Sequence, residues 1–210
     1  MSKPPAPSAS SGEAANGESN TTPETPDKVF IDARTLLVDS VKLARLVWDD
    51  GYRPNYVIGV WRGGTPPGVA IHEFLRMHGL EPYHTTIKTQ SYSGMQRGEG
   101  RVEIKGLGHI IDVINATDRV LIVDDVFDTG HTMVAILDEI ARLARRNAPE
   151  CRVATVYYKP ERNETALEPH YYAVADNRWI VFPHEIEGLT DEELRAHRAD
   201  VYAAALASHD

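Results

Sequence analysis

The chain has 210 residues, 42% of them apolar, which is enough for one α/β domain with a substantial core. Its net charge of −9, from 22 basic and 31 acidic side chains, argues against a general nucleic-acid or anionic-membrane binder. An anionic substrate is still possible, because backbone N–H groups and a few cations can form a positive pocket locally. The single Cys151 excludes an intrachain disulfide framework, and no apolar run approaches the length of a membrane span. We therefore expect a cytoplasmic protein with no nucleic-acid partner and no membrane segment.

The composition divides the chain into three predicted parts. Residues 1–27 are mostly Ser, Pro, Ala, Gly, Thr, Asn and Glu, which is typical of a disordered tail. Residues 28–189 carry regular apolar patterns and form the predicted domain. Residues 190–210 form a predicted C-terminal helical extension.

Apolar spacing within the domain predicts strands that alternate with helices. In chain order these are a helix at 32–50, a strand at 56–60, a helix at 66–80, strands at 83–88 and 120–123, a helix at 131–147, strands at 152–158 and 171–175, and a last helix at 191–206. The alternation predicts an α/β fold with a mainly parallel central sheet flanked by helices. Ligands of such sheets bind beyond the carboxyl ends of the strands.

The run VLIVDDVFDTGHTM, residues 120–133, is the most informative segment. Four apolar residues predict a buried parallel strand, and Asp124 and Asp125 follow at its carboxyl end. A short loop at 126–130 then leads into a helix. Backbone N–H groups at the helix start can hold a phosphate, while the two carboxylates can bind vicinal hydroxyls and share a Mg²⁺ ion. These residues predict a sugar-phosphate site, although acids on the surface of an ordinary βα unit are the simpler alternative.

This run resembles the phosphoribosyl diphosphate (PRPP) motif of type I phosphoribosyltransferases. The resemblance implies that fold, with a small hood region and a mobile active-site loop. It also implies that Asp124 and Asp125 hold the ribose hydroxyls, with Asp125 nearer the metal. The residues implied to bind the 5′-phosphate are Asp128, Thr129, Gly130, His131 and Thr132.

Two further segments resemble the diphosphate loop and the mobile loop of the 6-oxopurine members of this family. Arg62 and Gly63 follow the strand at 56–60, where glycine lets the backbone approach an anion closely; by resemblance they bind the diphosphate. In that family the peptide after the basic residue is often cis. Ser91 and Tyr92 lie in the long polar segment 89–108, and by resemblance they close over PRPP. Without the resemblance, an ordinary βα turn and a solvated loop would explain both segments.

The predicted base-binding residues follow the last strands. By resemblance, Lys159 donates to the O6 atom of a 6-oxopurine, and an ammonium group would reject the amino group of adenine. Trp179 would stack on the purine, and Ile180 and Glu185 would face its 2-position. The alternatives are a solvated lysine and a core tryptophan. His184 and Glu185 depart from the aromatic residue and the aspartate that are usual in the short bacterial enzymes.

Asp128 has two competing interpretations. It could cap the helix that follows, because Asp is a favourable N-cap residue. In the family the matching acid faces N7 of the purine and accepts or shares its proton, which makes Asp128 the predicted catalytic residue.

Together these residues predict a purine salvage phosphoribosyltransferase. It would transfer ribose 5-phosphate from PRPP to N9 of guanine, xanthine or hypoxanthine, release diphosphate and use Mg²⁺. We expect a homodimer or homotetramer. The alternatives are a phosphoribosyltransferase for another acceptor and a regulatory protein of the same fold that senses PRPP or a nucleotide.

Overall fold

A computed structural model describes residues 28–91 and 102–206, so the predicted tail and Tyr92 lie outside the described residues. The strands are β1 Lys28–Phe30, β2 Tyr56–Trp61, β3 Tyr83–Ser91, β4 Val102–Lys105, β5 Arg119–Phe127, β6 Glu150–Tyr158, β7 Tyr171–Ala175 and β8 Trp179–Val181. The α-helices are α1 Ala33–Asp49, α2 Thr65–Met77, α3 Gly108–Ile111, α4 His131–Ala144, α5 Asp191–His197 and α6 Ala199–Leu206.

A central sheet carries most of the described chain. Its strand order is β4-β3-β2-β5-β6-β7, and every neighbouring pair is parallel except β3 with β4. The predicted α/β fold with a mainly parallel sheet is therefore confirmed. Since β2, β5 and β6 run in the same direction, the segments that follow them emerge at one edge of the sheet.

The core lies on both faces of this sheet. Along β5, Leu121 and Val123 belong to the apolar layer that includes α1 and α2, whereas Val120 and Ile122 belong to the layer that includes α3 and α4. A strand buried on both faces needs apolar residues at consecutive positions rather than at alternate ones. That requirement explains the unbroken apolar run in the sequence.

Three predicted boundaries are wrong. Strand β5 continues past Val123 to Phe127, because its pairing with β6 extends to Phe127 opposite Tyr158. The predicted loop at 89–108 contains strand, since β3 reaches Ser91 and pairs with β4 at Val102–Lys105. The predicted C-terminal helix is two helices separated at Arg198. In the first two cases pairing with a neighbouring strand outweighs the local sequence signal.

The sequence pattern missed a second, two-stranded sheet. Strands β1 and β8 pair in parallel over three positions, with Lys28 opposite Trp179 and Phe30 opposite Val181. We call this pair the hood sheet. Each strand is only three residues long, too short for a period-two pattern to be recognised.

Candidate active site

Two acids lie inside β5 near its carboxyl end. Asp125 is 8% exposed, and its backbone N–H donates to Asp124 Oδ1 at 3.0 Å. Burial, and secondarily the adjacent charge of Asp125, raises the pKa of Asp124 well above its ordinary value. Two carboxylates so placed repel each other, and a cation or hydroxyl donors would relieve that repulsion.

The loop after β2 lies against these acids. A Cβ atom added at Gly63 would lie 2.1 Å from Asp125 Oδ2, and one added at Gly64 would lie 2.1 Å from the carbonyl oxygen of Val123. Only glycine allows this approach without displacement. The structure contains a cis peptide at Trp61–Arg62, so the cis bond precedes Arg62, whereas the family resemblance implied the bond that follows it.

A cavity of about 240 Å³ lies between the end of β5 and the start of α4. It is lined by five of the predicted PRPP-binding residues: Asp124, Asp128, Thr129, Gly130 and Thr132. Gly130 precedes α4 with φ of +86°, and no side chain caps this helix. The first N–H groups of α4 are therefore available to an anion, and the helix dipole favours one there.

Asp128 does not cap α4, so the capping interpretation is wrong. Its Oδ2 accepts from Lys159 Nζ at 3.0 Å, and its Oδ1 accepts from Arg162 Nε at 2.5 Å. Lys159 is 7% exposed and lies at the end of β6, so the interpretation as a solvated lysine is also wrong. Two cations thus fix the carboxylate from both of its oxygens.

A second cavity, of about 420 Å³, opens on the other side of Asp128. Its volume is within the range of small-molecule sites. Its walls include all four predicted base-binding residues: Lys159, Trp179, Ile180 and Glu185. Trp179 is 55% exposed, which excludes the core-tryptophan alternative and leaves an aromatic face at the cavity.

The segment after β8 closes this cavity. Glu185 Oε2 accepts from the backbone N–H of Phe182 at 2.9 Å, so a local turn uses one carboxylate oxygen. The preceding residue, His184, makes two contacts. Its Nε2 lies 3.3 Å from Asp125 Oδ2, and its ring stacks on Phe182. The position where the sequence departs from the family therefore contacts the predicted metal-binding acid directly.

Some predicted residues lie at the margin of the site. His131 is exposed and its Nε2 contacts Glu164 Oε2 at 2.8 Å, while the exposed Arg62 guanidinium lies 3.6 Å from Glu187. Ser91 ends β3, and its predicted partner Tyr92 lies outside the described residues.

Arg162 is the main site residue that the sequence interpretation missed. It contacts Asp128 and lines the larger cavity, yet it follows Lys159 by only three residues in a polar segment. The available signal was the second basic residue within one turn of the predicted base-binding lysine.

Among residues 28–91 and 102–206, no group of three or more His, Cys, Asp or Glu side chains could hold a metal ion. Across the same ranges, none of the helices has the length and apolar character needed to cross a membrane.

Comparison with known proteins gives consistent matches. The phosphoribosyl transferase domain family matches residues 28–187. The chain is 30% identical over 162 residues to a xanthine-guanine phosphoribosyltransferase of Ruegeria sp. (strain TM1040), covering 76% of this chain and 82% of the relative. It is 31% identical over 131 residues to that of Nitratidesulfovibrio vulgaris (strain DP4), covering 62% and 69%. The crystal structure of purine phosphoribosyltransferase from Pyrococcus horikoshii Ot3 matches with a TM-score of 0.63 and 31% identity, over 79% of this chain and 98% of that one.

Proposed function

The chain belongs to the phosphoribosyl transferase family, and we propose that it is a purine salvage enzyme within that family. It transfers ribose 5-phosphate from PRPP to N9 of a 6-oxopurine and releases diphosphate. The bond from C1′ to the diphosphate oxygen breaks, the bond from C1′ to N9 forms, and the base loses one proton.

The observation that carries this proposal is that one carboxylate, Asp128, lines both cavities. The smaller cavity has a phosphate-binding loop, and the larger one has the Lys159 cation and the exposed indole of Trp179. These groups match the phosphate end and the base end of a nucleotide. A reacting sugar between them would lie next to Asp124 and Asp125. Holding two substrates in this arrangement lowers the entropic barrier to their reaction.

The PRPP side of the site uses backbone and carboxylate groups. Backbone N–H groups at 129–132 hold the 5′-phosphate, because α4 has no side-chain cap and its dipole favours an anion there. Asp124 and Asp125 accept from the ribose hydroxyls. Arg62 and Gly63 hold the diphosphate, and the absence of a side chain at Gly63 lets this loop lie against Asp125.

The acids also fit Mg²⁺, with Asp125 as the protein ligand. Mg²⁺ is commonly held by one or two carboxylates together with substrate phosphates, so a dedicated protein cage is not required. Burial is the main cause of the raised pKa of Asp124 and repulsion by Asp125 the second, and a divalent cation beside this pair would relieve that repulsion. When bound, the ion would neutralise charge on the diphosphate leaving group.

The base side of the site selects a 6-oxopurine. Lys159 has three donors, so it can keep its contact with Asp128 and still donate to O6. Trp179 stacks on the ring, and Glu185 Oε1 remains for a group at the 2-position because Oε2 accepts from Phe182. Asp128 acts as the catalytic residue by accepting or sharing the N7 proton.

We further propose a cytoplasmic homo-oligomer, a dimer or a tetramer. One outer face of α1 exposes large apolar side chains, and it borders an apolar groove of about 780 Å³. These side chains are Leu37, Val38, Val41 and Leu46. A contiguous apolar face of this kind is typical of an interface. Sedimentation of the wild type against Leu37→Lys tests it, and a monomeric wild type would contradict it.

The test of activity measures diphosphate release from PRPP and Mg²⁺ with guanine, xanthine, hypoxanthine, adenine, uracil and orotate supplied separately. We expect turnover with 6-oxopurines only, strongly reduced in Asp128→Asn. Asp138→Asn is the matched control, since Asp138 is an exposed acid on the outer side of α4. No turnover with any base despite PRPP binding would refute the assignment.

A further inference from the structure

The hood sheet carries part of the proposed base site but has little pairing of its own. Trp179 and Ile180 lie on β8, whose partner strand is β1, and the pairing covers three positions. An isolated two-stranded sheet is at best marginally stable in water. Ile180 and Phe182 pack into the core and hold one side of the hood sheet. The order of the hood sheet therefore depends on the residues that pack against its other parts.

Helix α5 contacts each end of β1. Lys28 Nζ lies 2.5 Å from Glu193 Oε1 on α5. At the other end, the rings of Phe30 and His197 stack with centroids 3.8 Å apart and planes 6° apart. Helix α5 begins with a capping box formed by Thr190 and Glu193, so the residue that holds Lys28 is itself fixed in position.

Arg198, at the break between α5 and α6, joins the two hood strands. It is 7% exposed, and its Nη2 donates to the carbonyl oxygens of Ile31 at 3.1 Å and Val181 at 3.4 Å. The backbone N–H of Ile31 donates to the same Val181 oxygen at 2.9 Å. Arg198 thus satisfies the carbonyl groups at the point where both strands end.

The guanidinium of Arg198 is buried at an energetic cost, because a charge away from water is unfavourable unless it is hydrogen-bonded or paired. Within the described ranges Arg198 has no ion pair, and its Nε has no hydrogen-bond partner. An apolar side chain would pack there at lower cost, but it would remove the Arg198 donor from the Ile31 carbonyl and leave the Val181 carbonyl with the Ile31 N–H alone. The contacts of Arg198 therefore serve the hood sheet more than the extension.

We propose that α5 and the Arg198 that follows it clamp the hood sheet and that Arg198 is a positioning residue for the purine base. The inference rests on the proposed function, since it assigns the base to the cavity beside Trp179. A base that binds only the ordered hood has an apparent Kd equal to its intrinsic Kd divided by the fraction of molecules whose hood is ordered. The 5′-phosphate loop between β5 and α4 lies outside the hood sheet, so its order does not depend on this equilibrium.

The test compares Arg198→Met with Arg195→Met. Arg195 is an exposed residue on α5 whose side-chain contacts, to Tyr202 and Asp191, remain within the extension. We expect Arg198→Met to leave the hood open in most molecules, because the carbonyl groups of Ile31 and Val181 lose the Arg198 donor. Hydrogen-exchange protection of the Ile31 amide should then largely disappear, and the KM for the base should rise about tenfold. The KM for PRPP should stay within about twofold, and Arg195→Met should change none of these values.

Rescue variants keep the test decisive if Arg198→Met folds poorly. Arg198→Lys should recover part of the protection, and Lys28→Met should weaken the clamp, whereas Lys28→Arg, which keeps a cation facing Glu193, should not. Unchanged protection at Ile31, or an equal rise in the KM for PRPP and for the base, would overturn the proposal. The exchange measurement needs no turnover, so failure of the clamp is distinguishable from failure of the purine assignment, which would appear as an inactive wild type.

Discussion

The substitution Gly63→Ala tests whether the loop after β2 and the acid on β5 form one site. The added Cβ would lie 2.1 Å from Asp125 Oδ2, 2.3 Å from its Cγ and 2.5 Å from its Oδ1. Nonbonded carbon contacts are ordinarily about 3.5 Å, so the carboxylate or the loop must move by more than about 1 Å. Asp125 has little room, because it is buried and His184 Nε2 lies 3.3 Å from its Oδ2.

We expect two consequences of this displacement. A shift of about 1 Å in a substrate-positioning group can lower the rate by about 100-fold, so kcat/KM for PRPP should fall by about that factor. Overpacking of a buried site destabilises by about 1 to 3 kcal/mol, which denaturant unfolding can measure. Steady-state kinetics and urea titration of the same preparations supply both values.

The control and the refutation follow from the same geometry. Gly108→Ala adds a methyl group that meets nothing within 4 Å at the start of α3, and it should leave kcat/KM within about twofold. Combining Gly63→Ala with Asp125→Ala removes the clash, so the stability loss of Gly63→Ala should largely disappear in the double variant. Persistence of the full loss in that background, or normal kinetics of Gly63→Ala, would refute the reasoning.

Three further predictions concern the base side and pH. Arg162→Gln should lower kcat about tenfold, because Asp128 loses one of its two cations. The control is Arg146→Gln, an exposed change just after α4, which should leave kcat unchanged. Equal kcat values for the two variants would contradict this prediction. Trp179→Ala should raise the KM for the base about tenfold, and Trp179→Phe should raise it less, since stacking survives in part; equal effects would exclude a stacking role. Burial, and secondarily a neighbouring histidine, lowers the pKa of His84 below 6.5, so protonation disfavours the folded state. The free energy of unfolding should therefore fall as pH drops below about 6.5, and less so in His84→Gln; parallel curves would rule out His84 as the cause.

The fold was largely predictable because its signals are local. The run Val120–Val123 is buried on both faces, and such strands are apolar at every position. The hood sheet was not predictable, since the three-residue strand β1 acquires its structure from β8, about 150 residues further along the chain. The end of β5 was misplaced for a similar reason, because its pairing with β6 rather than its composition continues it past the acids.

The site was predictable where a residue type is tied to a motif. Asp128, Lys159 and Trp179 were identified from the family resemblance, and the structure brings them to one cavity, while their chemical roles remain predictions. Arg162 was missed because its importance lies in its contact with Asp128, which sequence spacing does not reveal. The contact between His184 and Asp125 was hidden in the same way, since it joins β5 to the turn after β8.

The distance along the chain between β1 and β8 has a consequence for synthesis on the ribosome. By the time Ala175 has emerged, every strand of the central sheet has been made, and the phosphate loop on β5 can fold against its neighbours. Strand β1, although made first, must wait for β8 before it has a partner. A nascent chain that has emerged only as far as Asp176 would therefore be able to form the proposed phosphate loop before it could form the proposed base site, because domains fold as their contacts become available.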